Sequence, residues 1–459
     1  MSLQLQYNIT GNNFTLVLPI SGGTISLVDW GDGTSDNLNS HTYLDPGLYD
    51  VSIGGEAITD LNSSIGTGAK YLTECKSFGE IGLTNLNCAF YGGINLTTVP
   101  EILPSNSIIT NMQNMFYGAT IFNGDISNWD VSDVQDMCGM FNSATSFNQN
   151  INVWDVSSVL DMRYMFENAK VFNQNLNSWN VSNVREMWYM FNYAIAFNGD
   201  ISSWDVKNVL NMNCMFSSAT AFNGDISNWN VSDVLDMRCM FDSAAVFNGN
   251  ISNWNVSNVL DMQCMFDKAL AFNGDISNWD VSRVSDMSGM FHKAIKFNQN
   301  ISNWDVSKVT NMRNMFMNAR KFNQNLSNWN VSNVLDMCRM FADAKIFNGD
   351  ISGWNVSSVS NMSRMFSNAK VFNGDISRWE VSNVRDMCEM FHNAQVFNRD
   401  LSNWNVSNVR DMKNMFANAK EFNQNLNKWN VSKYTRITSM FRGATSFDTN
   451  INSILKKVD

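Results

Sequence analysis

Carboxylates and carboxamides recur along this chain at a fixed interval, and they are the first candidates for chemistry. One row lies between a Trp and a Val: Asp130, Asp155, Asn180, Asp205, Asn230, Asn255, Asp280 and Asp305, continuing to Asn430. A second runs through Asp125, Asp200, Asp225, Asp275, Asp350, Asp375 and Asp400. Paired carboxylates can serve as general acid and base or as calcium ligands. Catalysis needs one distinctive constellation, however, and here the same residues return in nearly every unit. Hydrogen bonding between units and solubility explain them better. Histidine occurs only at His41, His292 and His392. No Ser-His-Asp, Cys-His, P-loop or dinucleotide arrangement accompanies them, so nucleophile, base and pocket are all missing. The expectation is a non-enzymatic chain with no catalytic residues, no cofactor and no metal.

The eight cysteines match no zinc spacing. Cys214, Cys239 and Cys264 hold one position of three consecutive units, and free thiols are expected there. Disulfide reach would be exceeded if full helices separated them. Near the N-terminus, Asp29 and Asp32 could hold calcium, but the neighbouring Gly31 and Gly33 point to turn chemistry.

The elements that position these rows follow from the repeat itself. Met-Phe ends at Phe116, Phe141, Phe166 and onward to Phe441, fourteen times at an unbroken spacing of 25, and a Trp keeps the same period from Trp129 to Trp429. Constant apolar positions in one unit are Ile151, Trp154, Val156, Val159, Met162, Met165, Phe166, Ala169 and Phe172. One unit cannot bury so many apolar side chains alone, whereas stacked units can. Trp-x-Val alternates like a very short strand, and Val159 to Ala169 has helical spacing with Ser157 available as a cap. The expected coil is therefore a strand, a turn, a short helical segment and a return, with parallel strands about 4.8 Å apart.

Constant residues are assigned to the scaffold. Trp129, Trp154, Met140 and Phe141 read as core, since a line of exposed indoles would be a solubility liability. Asn148, Asn173 and their counterparts follow the core Phe and read as an inward asparagine ladder bonding neighbouring backbones. Asn-Val-Ser recurs, as at Asn180–Ser182, but Asp or Glu replaces that Asn in six of thirteen copies, so an acceptor and not a glycan is expected.

With its W-[DN]-V-S-x-V-x-D-M-x-x-M-F-x-x-A-x-x-F-N pattern over about 340 residues, the repeat resembles the BspA-type leucine-rich repeat family, in its 25-residue DUF285 class. The resemblance implies an α/β repeat, a leucine-rich-repeat-like solenoid of about 14 coils with a short parallel strand and a short helical segment each. It also implies that the row from Asp130 to Asp305 faces outward as a strand-side binding ladder. Members occur in mycoplasma surface lipoproteins, bacterial surface proteins and giant-virus genomes, with adhesion and interaction roles. This chain shows neither a secretory signal nor a lipobox cysteine, which favours a cytoplasmic or virion setting over classical secretion.

The ends differ from the repeat. Val28–Thr34 (V-D-W-G-D-G-T), His41–Tyr43 and Pro46–Ile53 resemble a PKD-type β-sandwich signature, so residues 1–60 are expected to form a β-rich N-terminal cap. Residues 61–111 read as degenerate capping coils, 112–446 as the solenoid and 447–459 as a C-terminal cap. Net charge is −11, divided into −14 over residues 1–162 and +3 over the remainder. Such an acidic end can steer toward a basic partner, and no concentrated basic stripe marks a nucleic-acid footprint. The functional expectation is a rigid scaffold binding proteins, capsid or host-surface proteins among them, without nucleic acid or membrane insertion. A structural or decorating component of a giant-virus particle is the alternative, and a glycan-binding adhesin a more distant one.

Overall fold

The computed structural model describes residues 1–104 and 107–448 of the chain. The chain divides into two compact units, Met1–Asn230 and Val231–Asp459. Residues 449–459, most of the expected C-terminal cap, lie outside the described residues.

The first unit opens with antiparallel strands. They are β1 (Leu3–Ile9), β2 (Phe14–Val17), β3 (Ile20–Ser21), β4 (Thr24–Asp29), β5 (Ser35–Asp36), β6 (Ser40–Tyr43), β7 (Gly47–Glu56), β8 (Asp60–Leu61) and β9 (Leu72–Ser77). Five of them form a sheet in the order β5-β4-β7-β1-β9, while β2 pairs with β6 and β3 with β8. The alternation of β1 dictates its place: Leu3, Leu5, Tyr7 and Ile9 are buried, while Gln4 and Asn8 are exposed. Trp30 closes the core beside the sheet. Its Nε1 donates to Asp36 Oδ1 at 3.1 Å, and its carbonyl accepts the Tyr43 hydroxyl at 2.8 Å.

Beyond the sheet, the unit continues as stacked 25-residue coils, and here the expected α/β coil is overturned. The only helical element among the described residues is the short 3₁₀ turn Ala69–Tyr71. No strand forms at Trp-x-Val, and each coil is made of turns and loops. In the regular coils parallel pairing takes the form of single-residue bridges one position before the first Met, as in Asn111–Asp136–Asp161–Glu186–Asn211, and two earlier bridges join Asp60 to Asn85 and Glu74 to Thr98. The second unit repeats this row from Asp236 to Arg436.

The helix fails for a backbone reason. Tyr164 and Asn168 have φ of 56°, the left-handed region, and the same two positions of other coils hold Cys214, Ser218, Asn314 and Asn318 at 54–59°. An α-helix tolerates no such residue in its interior. The backbone N–H groups instead alternate between two kinds of partner. Met165, Glu167 and Ala169 bond three residues back, to Met162, Tyr164 and Phe166, at 3.0–3.3 Å. Between them, Met162, Tyr164, Phe166 and Asn168 donate to Glu186, Trp188, Met190 and Asn192 of the next coil at 2.7–3.2 Å. Helical spacing of the apolar residues thus arises from linked turns, with every second N–H tying one coil to the next. Ser157 caps nothing helical; its own N–H bonds Asp155 Oδ1.

Apolar side chains inside the coils form columns. Phe141 and Phe147 stack at 4.0 Å within a coil, and Phe141–Phe166 and Phe147–Phe172 continue at 5.6 and 6.0 Å between coils. In the second unit Phe316–Phe341 repeats this at 5.5 Å. Each such pair adds about 0.5–1.5 kcal/mol beyond the area it buries.

Candidate functional site

The constant polar residues are occupied by the coil itself. Short acceptors bond the N–H two residues on, which closes an Asx turn. In one coil Asn150 holds Asn152, Asp155 holds Ser157 and Asp161 holds Arg163, all at 3.0–3.1 Å. Three such turns bend this 25-residue circuit, and either Asp or Asn can close one, since each offers the same acceptor.

The proposed ladder residues Asp130, Asp155, Asn180, Asp205, Asn230, Asn255, Asp280 and Asp305 are all exposed. They sit on turns and not on a strand. Asp130 Oδ1 accepts both the N–H and the hydroxyl of Ser132, and Asp155, Asn180, Asn255, Asp280 and Asp305 accept the corresponding Ser N–H at 3.0–3.2 Å. Asp205 accepts from Lys207. The Ser hydroxyl and then its N–H hold Asp130, Asp155 and Asp305 below the usual carboxylate range. In the second row Asp125, Asp200, Asp225 and Asp275 are lowered by the N–H and then the hydroxyl of the Ser two residues on. A third row, at the bridges, behaves oppositely: burial raises Asp136, Asp261 and Asp386, and a neighbouring carboxylate adds to the effect.

Trp129 and Trp154 are 3 % exposed, and Met140 and Phe141 are fully buried. Each indole reaches back one coil: Trp154 Nε1 donates to the Ile126 carbonyl at 3.1 Å and Trp179 Nε1 to Ile151 at 2.9 Å. Trp129 uses the Pro100 carbonyl. Buried in this way, the indoles offer no stacking face to a sugar. Asn148 and Asn173 do form a ladder, but at the surface and not inward. Asn148 Oδ1 accepts the Asn173 N–H at 2.9 Å, and Asn148 N–H bonds Asn123 Oδ1. Asp29 and Asp32 act in turns, accepting the Gly31 and Thr34 N–H groups, and Asp32 Oδ2 also lies 2.7 Å from His41 Nε2.

None of the eight cysteines, all among the described residues, is joined in a disulfide. Cys214, in the first unit, and Cys239 and Cys264, in the second, occupy left-handed positions at φ 52–54°. Burial raises the Cys138 and Cys388 thiols to about 11, so these two are poor nucleophiles at neutral pH.

Against this geometry the comparison with known families is specific. The family described as "Mycoplasma protein of unknown function, DUF285" matches residues 103–200, 176–277, 247–354 and 344–454. The chain belongs to the DUF285 family. Each match spans roughly four coils, and successive matches overlap because any run of coils presents the same pattern. No relative among the curated proteins matches the chain.

Reading the constant DUF285 positions missed what lies at the variable ones. In the second unit His292 Nδ1 lies 2.8 Å from Asp267 Oδ1, and Lys268 Nζ lies 3.2 Å from Asp267 and 3.6 Å from Asp242. This polar network spans three coils. A second missed feature is the position just before the bridge residue. Its N–H is fixed to the preceding coil, as in Leu160 to Gln135, Arg185 to Leu160 and Leu210 to Arg185 at 2.9–3.0 Å. Its side chain is exposed and changes from coil to coil. Comparing the copies for variation, and not for constancy, would have found both.

Proposed function

We propose that this chain is a non-catalytic scaffold that binds a protein through its variable surface columns. The observation that carries this reading is the position before the bridge. Gln135, Leu160, Arg185 and Leu210 in the first unit stand on backbone locked between coils, and so do Leu260, Ser285, Thr310 and Leu335 in the second. Their side chains are exposed; Leu160, Leu210, Leu260 and Leu335 remain 41–52 % accessible. A fixed backbone displaying interchangeable side chains, several of them apolar, suits recognition of a surface more than a reaction. The repeated carboxylates support the same reading, because turn closure already uses them. Within this proposal the chain is kin to the BspA-type leucine-rich repeats, and residues 28–53 to PKD-type domains, on the sequence patterns alone.

The test is affinity capture with the intact chain against a variant carrying Leu160→Ser, Leu210→Ser, Leu260→Ser and Leu335→Ser. Serine already stands in this column at Ser285 and Ser360, so the fold should be retained. Loss of one specific protein partner at unchanged thermal stability supports the proposal. Binding on a glycan array together with partner capture that ignores the four substitutions would overturn it.

A further inference from the structure

The last coil breaks the pattern at the buried Val, among other positions. A buried Val stands three residues after the constant Trp-x-Val valine in the preceding coils, as at Val384 and Val409. At that position Tyr434 turns outward, 83 % exposed, and Thr435 fills the interior at 5 %. Thr435 Oγ1 then donates to the Val409 carbonyl at 2.8 Å. The backbone shifts locally with it: Thr435 N–H donates to the Ser432 carbonyl at 2.9 Å, where in the preceding coil Val409 N–H donates to Val406, and Arg436 returns to register by bridging Asp411. This one-residue slip leaves a cleft of about 440 Å³, lined among others by Arg385, Ser407, Arg410, Ser432 and Tyr434.

Arg385 and Arg410 occupy the display position of consecutive coils, joined by the Arg410 N–H to Arg385 carbonyl bond at 2.8 Å. Two other arginines of these coils are paired, Arg364 with Glu389 at 3.0 Å and Arg436 with Asp411 at 3.0 Å. Among the described residues neither Arg385 nor Arg410 makes an ion pair, in a chain whose net charge is −11. A third cation, Lys433, sits 5.0 Å over the Tyr434 ring. Two adjacent guanidiniums repel one another unless an anion lies between them.

We infer that this cleft binds the phosphate group of an aryl phosphate monoester. A phosphate monoester carries about −1.5 to −2 at neutral pH and presents several oxygens, which matches two planar donor forks. A carboxylate supplies half that charge. The phenol ring of Tyr434 is exposed, and the face away from Lys433 gives the aromatic part of the ligand a surface to stack on. This site takes two residues of the display column, but its test needs no protein partner.

The test is calorimetric titration of the full chain at low ionic strength with phenyl phosphate, inorganic phosphate, inorganic sulfate and acetate. Phenyl phosphate should bind most tightly, inorganic phosphate next and acetate least. The double variant Arg385→Gln/Arg410→Gln should lose at least tenfold in phenyl phosphate affinity. Arg185→Gln, which removes one such charge at the same column in the first unit, should lose nothing. Tyr434→Ala should weaken phenyl phosphate and leave inorganic phosphate unaltered. Arg410→Ser, which installs the residue found at Ser360, guards against misfolding as the cause of loss. Equal binding of acetate and phenyl phosphate overturns the proposal. So does affinity unchanged in the double variant.

Discussion

The N-terminal sheet and the coils that follow it use the same residues to opposite ends. In both, short carboxylates close turns, Asp32 on Thr34 in the sheet region and Asp155 on Ser157 in a coil. Both bury a Trp whose indole N–H is satisfied. In the sheet, however, each partner is unique. β1 holds Leu5 opposite Val51 on one side and Cys75 on the other, and no second copy of that pairing exists in the region. In the coils each partner stands within the same turn or one coil away, a step of 24 to 28 residues, and is repeated by translation. One region is specified by particular long-range pairs, the other by a period. Damage should therefore be absolute in the first and divisible in the second.

The largest expected effect comes from breaking the period itself. Deleting residues 272–296 removes one whole coil and rejoins Ala271 to Phe297, so every 25-residue partner relation is restored. Deleting residues 272–283 shifts all following partners by half a coil. The first variant should keep a cooperative thermal transition and the second should lose it, as read by near-ultraviolet circular dichroism. Equal damage from both would remove the basis of the comparison.

Next in size are substitutions at the shared Trp. Trp304→Ala leaves a cavity in the aromatic columns and should cost about 3–5 kcal/mol in urea unfolding. Trp304→Phe keeps most of the buried area but loses the bond from Nε1 to the Ile276 carbonyl, at about 1 kcal/mol. Trp30→Ala should cost as much as Trp304→Ala. Because the sheet has no spare copy, it should also abolish amide protection throughout β1 and β7, whereas Trp304→Ala should loosen only neighbouring coils. Protection lost equally far from both sites would contradict the divisible picture.

How much of this could be read from the residues depends on which link of the chain is asked. The period, the burial of Trp and Phe and the existence of an asparagine ladder follow from spacing, because stacking repeats one environment many times. The helix did not follow. Val159, Met162, Met165, Phe166 and Ala169 have helical spacing, yet linked turns with bonds three residues back satisfy the same pattern. The discriminating signal is at Tyr164 and Asn168, whose columns are rich in Asn and Gly: Asn314, Asn414 and Gly139 in one, Asn318, Asn368 and Gly118 in the other. Tyr, Cys, Arg and Lys in the remaining copies dilute it. The ladder's outward face was hidden for a related reason, since an Asn bonding backbone works equally well at either surface. At the candidate site, the row from Asp130 to Asp305 is exposed on turns and not on a strand, and its use in turn closure needed the backbone. The cleft at Arg385 and Arg410 needed the slip at Tyr434, which one substitution among thirteen copies announces only once the Val it replaces is known to be buried.

A smaller effect tests the left-handed positions, which the coils require and the strands do not. Lys293 is exposed at φ 57°. Lys293→Gly should be neutral or stabilise by up to about 1 kcal/mol, because glycine adopts this region without a Cβ penalty. Lys293→Val should destabilise by about 1–2 kcal/mol, since a β-branched residue resists it most. Chemical denaturation measures both, and a Val variant as stable as the Gly variant would show that the segment can rearrange toward a helix.

The smallest effect separates two carboxylate rows of the coils by sign. Asp155 is held below its ordinary 3.8 by the Ser157 hydroxyl and N–H. It binds a proton less readily when folded, so its contribution is present above 3.8 and is lost as pH falls through its lowered folded value. Asp261 is raised by burial and by Asp286 beside it. It binds a proton more readily when folded, so the fold gains stability as pH falls from its raised value toward 3.8. Asn already stands in the Asp261 row at Asn311, where its amide donates to Asp286 Oδ2 at 2.9 Å. Asp261→Asn should therefore raise the melting temperature slightly at pH 7, with the gain shrinking as the pH approaches 3.8. Asp155→Asn should lower it slightly at pH 7, with the loss vanishing in acid. Melting curves of both variants between pH 3 and pH 7 decide the matter. Two profiles of the same sign would mean that the half-buried bridge row and the exposed turn row are one environment, and that position within the coil, which the period alone reveals, is all that distinguishes them.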